Sequence, residues 1–62
     1  MERIVKRISV KFANGGFIGR FAVAKESQEV FAKESEIVRR TMTSAVADCL
    51  ILKREWERRN PA

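Results

Sequence analysis

Residues 31–56 read FAKESEIVRRTMTSAVADCLILKREW, and the fold turns on how that stretch is read. Within it Phe31, Val38, Met42, Ala45, Cys49, Leu52 and Trp56 follow at steps of seven, four, three, four, three and four. An apolar stripe of that spacing predicts one long amphipathic helix. Upstream, Ser27 is the natural N-cap, because its hydroxyl can accept an unpaired first-turn N–H, and Glu29 suits the positive end of the helix dipole. Downstream, Lys53, Arg54, Arg58 and Arg59 crowd the last turns and Asn60-Pro61 stops the helix. Glu29–Lys33, Glu36–Arg40 and Glu55–Arg59 stand at i,i+4 in the favourable order. The expected helix therefore covers residues 28–59. Two places leave alternatives open. The quartet Ala24-Lys25-Glu26-Ser27 recurs as Ala32-Lys33-Glu34-Ser35, and Ser35 could cap a new helix and break the first. Ala45 to Leu52 is apolar on nearly every side except Asp48, as a buried strand would be. The stripe runs on to Trp56, and Ala and Leu favour helix, so helix is the reading taken.

The first part of the chain has a different period. Ile4 to Phe12 alternates, with Ile4, Lys6, Ile8, Val10 and Phe12 on one face and Val5, Arg7, Ser9 and Lys11 on the other. Phe17 to Ala24 alternates as well, with Phe17, Phe21 and Val23 opposed to Ile18, Arg20, Ala22 and Ala24. Period two in β-branched and aromatic runs predicts strands. Asn14-Gly15 between them suits a type I′ turn, whose two central residues both need positive φ. That turn pairs Phe12 with Phe17, Val10 with Gly19 and Ile8 with Phe21, and it collects the large apolar residues on one face. A Gly15-Gly16 turn keeps the same parity and shifts the pairs by two, whereas a three-residue loop would scatter them.

The expected fold is α+β: one domain over residues 1–62, with a β-hairpin at 4–24 packed on one long C-terminal helix at 28–59, in the order ββα. A 32-residue helix would be about 48 Å long, whereas eight-residue strands reach about 27 Å. One hairpin cannot cover that helix, so a homodimer is expected, with Val38, Met42, Ala45, Cys49, Leu52 and Trp56 at the interface. The chain's size points the same way. A 62-residue chain buries a small core, and with one cysteine and no histidine it can make neither an intrachain disulfide nor a zinc site. Association is the remaining staple.

The same absences weigh against catalysis. Without histidine or tyrosine, Ser-His and Cys-His pairs cannot form, and the acidic residues are spaced as helix-surface groups. No enzyme activity, cofactor, metal or small-molecule substrate is expected. Asn14-Gly15-Gly16 makes a turn, and no phosphate-loop or dinucleotide pattern surrounds it. No apolar stretch resembles a secretory signal or a membrane span, so a cytoplasmic protein with no membrane partner is expected.

Thirteen Lys and Arg stand against eight Asp and Glu, a net charge of +5. That balance suits nucleic acid or an acidic protein surface. Arg7, Lys11 and Arg20 share the hairpin face opposite the phenylalanines, and Lys53, Arg54 and Arg58 end the helix. These six are the candidate binding residues. The function expected is that of a small, basic, non-enzymatic, nucleic-acid-associated protein of the accessory or regulatory DNA-binding kind. The alternative is a small protein-binding modulator or inhibitor that docks on a larger macromolecular complex, of the sort that phages and other mobile elements encode.

Overall fold

A computed structural model describes residues 3–61. Strands β1 (Ile4–Ala13), β2 (Gly16–Lys25) and β3 (Gln28–Glu34) are followed by one helix, α1 (Met42–Arg59). The strands form one antiparallel sheet in the order β1-β2-β3, so β2 is central. The class is α+β as expected, with a third strand where the helix was to begin.

The first hairpin has the expected register. Phe12 pairs with Phe17, Val10 with Gly19 and Ile8 with Phe21. Asn14 and Gly15 hold φ of 54° and 75°, the type I′ requirement. The Phe12 and Phe17 rings meet edge to face at 5.6 Å.

The helix expected over 28–59 is corrected to Met42–Arg59. Residues 28–34 are strand, and Ser27 is a turn residue, not a helix cap. Glu26 and Ser27 both sit at positive φ, 53° and 67°, so β2 returns to β3 through a second two-residue turn. Glu26 is held there by Arg3, whose carbonyl accepts the Glu26 N–H at 3.2 Å and whose own N–H donates to the Glu26 carboxylate at 3.3 Å. The physical reason for β3 is tertiary. β2 has two edges, and its second edge needs partners for its N–H and C=O groups. β3 supplies them and sets Phe31 against Phe21, with ring centroids 6.1 Å apart. These gains outweigh the helix propensity of Glu, Ala and Lys. The repeated quartet marks two strand ends: Ala24-Lys25 closes β2 and Ala32-Lys33-Glu34 closes β3.

The chain from Ser35 to Thr41 stays against β2. The Ser35 N–H donates to the Gly19 carbonyl at 2.8 Å, and Phe17 and Arg39 exchange two backbone hydrogen bonds of 2.7 and 2.8 Å. Thr41 then caps α1, with its hydroxyl accepting the Ser44 N–H at 3.2 Å. At the far end the Asn60 N–H donates to the Trp56 carbonyl at 2.9 Å, and Arg58 and Arg59 lie in the last turn, where the dipole favours cations. Residues 45–52 are helix, as read.

α1 lies over β1 and β2 on the face that carries Phe17, Gly19, Phe21 and Val23. Phe21, Val23, Ala45 and Cys49 are fully buried there. The closest approach is at Gly19. A Cβ at that position would collide with the Ala45 carbonyl oxygen and stand 2.8 Å from the Cys49 Sγ. Gly19 is therefore a seat for the helix backbone, and only a missing side chain leaves it open. An 18-residue helix is about 27 Å long, within the reach of ten-residue strands. The length mismatch that argued for a second chain disappears.

Three outcomes follow for stability. Gly19→Ala should destabilise by about 1–3 kcal/mol through overpacking, read as a drop in urea midpoint. Gly15 has nothing within 4 Å of the corresponding position, so Gly15→Ala should carry only the left-handed backbone cost. Ser27→Gly should stabilise by about 0.5–1 kcal/mol by relieving a positive φ. A destabilised Ser27→Gly would contradict the turn.

Candidate functional site

Alternation sets the two faces of the sheet. The face opposite α1 carries Arg7, Lys11 and Arg20, as their parity required. Ala22 and Ala24 are buried between longer neighbours there, and Val5 and Ile18 share the face. No helix covers this face among the described residues.

β3 adds carboxylates that the sequence reading had placed on a helix. Glu34 pairs with Arg20 in the ladder and Glu29 with Ala24, so both fall on the open face. Lys11 reaches across β2 to Glu34 at 2.9 Å. Arg20 extends along the sheet past Ala22 to Glu29 at 3.2 Å. Both pairs are solvent-exposed and worth about 0–1 kcal/mol, so they position the cations without locking them. Arg7 makes no ion pair among the described residues. The expected pair Glu29–Lys33 is thus replaced by Glu29–Arg20.

The other candidate cations lie across the sheet. Lys53, Arg54 and Arg58 are on α1, so the six candidates divide between opposite sides of the molecule. Lys53 and Arg54, together with Lys6, act on Glu57. Its carboxyl sits below the usual range, chiefly because Lys6 donates to it, and the two helix cations add to the effect. Arg59 shares an open groove with Lys25, Lys33, Phe31 and Trp56. Sequence reading missed that grouping, since it put Lys33 on the helix itself.

The six interface candidates also separate. Ala45 and Cys49 are buried against the chain's own sheet, and the Cys49 thiol donates to the Ser9 carbonyl at 3.2 Å. Trp56 is half-buried, its ring 6.3 Å from Phe21 and 5.5 Å from the Lys6 Nζ. Leu52 is half-buried. Val38 is in the loop before the helix and exposed, and Met42 is exposed at the helix start. The apolar stripe thus serves mainly to seat α1 on its own sheet.

Asp48 is the buried charge of the chain's described part. Arg39 grips it with two hydrogen bonds of 2.8 and 3.0 Å, and the Ser35 hydroxyl adds a third at 3.4 Å. The pair ties the 35–41 loop to α1. The Arg39 bonds hold the Asp48 carboxyl below the ordinary carboxylate range, against the opposing effect of burial. The same bonds raise the Arg39 guanidinium.

No cluster of three or more His, Cys, Asp or Glu that could hold a metal ion occurs among the described residues. No helix of the described residues is long and apolar enough to cross a membrane. No protein-family model matches the chain, and no curated protein or solved structure matches it either.

The Arg39–Asp48 clasp has a testable pH signature. Asp48→Ala should cost about 1–2 kcal/mol at neutral pH, discounted from a fully buried pair because Arg39 is partly exposed. A depressed folded-state carboxyl stabilises above the unfolded value of about 4. The advantage over the variant should therefore persist at pH 7 and shrink below pH 4, as Asp48 takes up its proton. Urea titrations of both proteins from pH 7 to pH 2 read this directly. A difference that stays constant to pH 2 would refute the clasp.

Proposed function

We propose that this chain is a small, non-enzymatic, nucleic-acid-binding accessory protein whose open sheet face meets a duplex. The observation that carries the reading is the composition of that face. Arg7, Lys11 and Arg20 rise beside the buried Ala22 and Ala24, and α1 packs on the opposite side. Small residues beside long cationic side chains let phosphates approach closely. Lys11 and Arg20 are held extended by exposed carboxylates, and a polyanion can displace such weak pairs. Arginine and lysine that reach past the phosphates can also meet guanine edges.

Docking on an acidic protein is the second reading. It is favoured by those same two carboxylates, which give the face mixed charge suited to a mixed-charge protein surface.

Fluorescence anisotropy with a labelled DNA duplex across a salt series tests the first reading. Wild type should bind at low salt with log-linear salt dependence. Changing Arg7, Lys11 and Arg20 together to alanine should lower the slope by about 3, if each cation meets one phosphate. Changing Lys53, Arg54 and Arg58 together should have a smaller effect. Glu29→Gln with Glu34→Gln should tighten binding, because it frees two cations. Absence of wild-type binding at low salt, or weaker binding by the Glu→Gln pair, would sink the nucleic-acid reading.

A further inference from the structure

We propose that β1 pairs antiparallel with β1 of a second copy, with Ile8 on the dyad, giving one six-stranded sheet with both helices on the same face. The inference does not rest on nucleic-acid binding.

β1 is an edge strand of ten residues with no bulge, and no strand pairs with its outer side among the described residues. β3, the opposite edge, is shorter and is interrupted by an irregularity opposite Val23 and Ala24. Short or bulged edges resist pairing, while long regular ones invite it.

The direction of the free groups on β1 can be worked out. In a two-residue hairpin, Ala13 and Gly16 exchange both bonds, and bonded pairs alternate from there. Two independent contacts agree. Phe17 spends its N–H and C=O on Arg39, and Gly19 gives its carbonyl to Ser35, so neither turns toward β1. Their β1 partners, Phe12 and Val10, therefore turn N–H and C=O outward, as do Ile8, Lys6 and Ile4.

Those same residues form an apolar row on the helix face, and it is incompletely covered. Phe12 is 72% exposed, Ile4 47% and Ile8 46%, and Leu50 of α1 is 50% exposed. The one charge in the row, Lys6, is already paired with Glu57. With Ile8 on the dyad, Ile4 stands opposite the partner's Phe12 and Lys6 opposite the partner's Val10. All five outward residues then meet outward residues. About ten backbone hydrogen bonds form, the number a standard interface carries. The apolar ends of the row cover each other.

Charge on the open face selects this register. With Ile8 on the dyad, Arg7 stands opposite the partner's Ser9 and Lys11 opposite the partner's Val5. A shift of two residues one way sets Arg7 against the partner's Arg7. The same shift the other way sets it against the partner's Lys11. Like charges directly opposite destabilise a sheet, so the two neighbouring registers are disfavoured. The occupant that fits both the hydrogen-bond pattern and the side-chain pattern of this edge is the edge itself.

Analytical ultracentrifugation of the full chain without nucleic acid tests association. Wild type should dimerise at micromolar concentration. Ile8→Arg, which brings two charges together at the dyad, should weaken the dimer at least about tenfold while circular dichroism stays native. Ile8→Pro removes one outward N–H and should do the same; if it unfolds, Ile8→Arg carries the test. Register is tested by Ile8→Cys. Paired positions on the dyad have Cα atoms about 5.5 Å apart, within disulfide range. Mild oxidation should give a dimer cross-linked through residue 8, mapped by peptide mass spectrometry. Lys6→Cys alone and Val10→Cys alone should not cross-link, and a mixture of the two should. A wild type that stays monomeric to millimolar concentration, an Ile8→Arg variant that dimerises like wild type, or preferential cross-linking at 6 or 10 alone would overturn the proposal.

Discussion

The fold depends on a close contact between the backbone of α1 and one unsubstituted position of the central strand, Gly19. Gly19 lets the Ala45 carbonyl and the Cys49 backbone and thiol come down onto β2. Small residues on the helix, Ala45 and Cys49, are what make that approach possible, and both are fully buried. Once the helix is this low, Phe21 and Trp56 meet at one end of the contact and the Arg39–Asp48 clasp closes at the other. A 62-residue chain has few large side chains to bury. Close packing about one glycine is how it gains dispersion contacts without a larger core.

Placing the helix on one side has a consequence for the other. The opposite face of the sheet keeps its parity pattern, with cations beside Ala22 and Ala24, and no helix of the described residues lies over it. The one-sided arrangement also leaves β1 at the margin of the helix's shadow. Ile4, Ile8 and Phe12 are apolar residues on the packed face that α1 leaves incompletely covered. The open face carries ions, and the β1 edge carries one row of uncovered hydrocarbon.

Where local signals agreed with tertiary demand, the fold was legible in the residues. Asn14-Gly15 is a turn pair by its own φ preference, and it chose between the two registers that the parity of Ile8, Val10, Phe12, Phe17 and Phe21 allowed. Lys53 to Pro61 marks a helix end by dipole and proline chemistry. β3 was not legible, because its local signals disagree with its structure. Glu26-Ser27 is a poor pair for positive φ, and Gln28-Glu29-Val30-Phe31-Ala32-Lys33-Glu34 reads as easily as helix. The need that makes it a strand belongs to β2, which requires a second partner. The apolar stripe then misled in a specific way. Phe31 and Val38 fit its spacing by coincidence, while Ala45, Cys49, Leu52 and Trp56 do lie on the helix side that faces the sheet. The candidate site shows the same division. Parity alone grouped Arg7, Lys11 and Arg20. Their ionic partners Glu29 and Glu34 stayed hidden because both sit on the strand that was read as helix.

The measurement that bears most directly on this account is a set of proton–proton contacts in solution, read by nuclear Overhauser spectroscopy. Strong contacts are expected from the Gly19 α protons to Ala45 and Cys49, with cross-strand contacts linking Val23 with Phe31. Sequential helical contacts at i,i+3 should begin at Met42. Helical contacts running unbroken from Gln28 through Arg59, with none between Gly19 and Cys49, would contradict it.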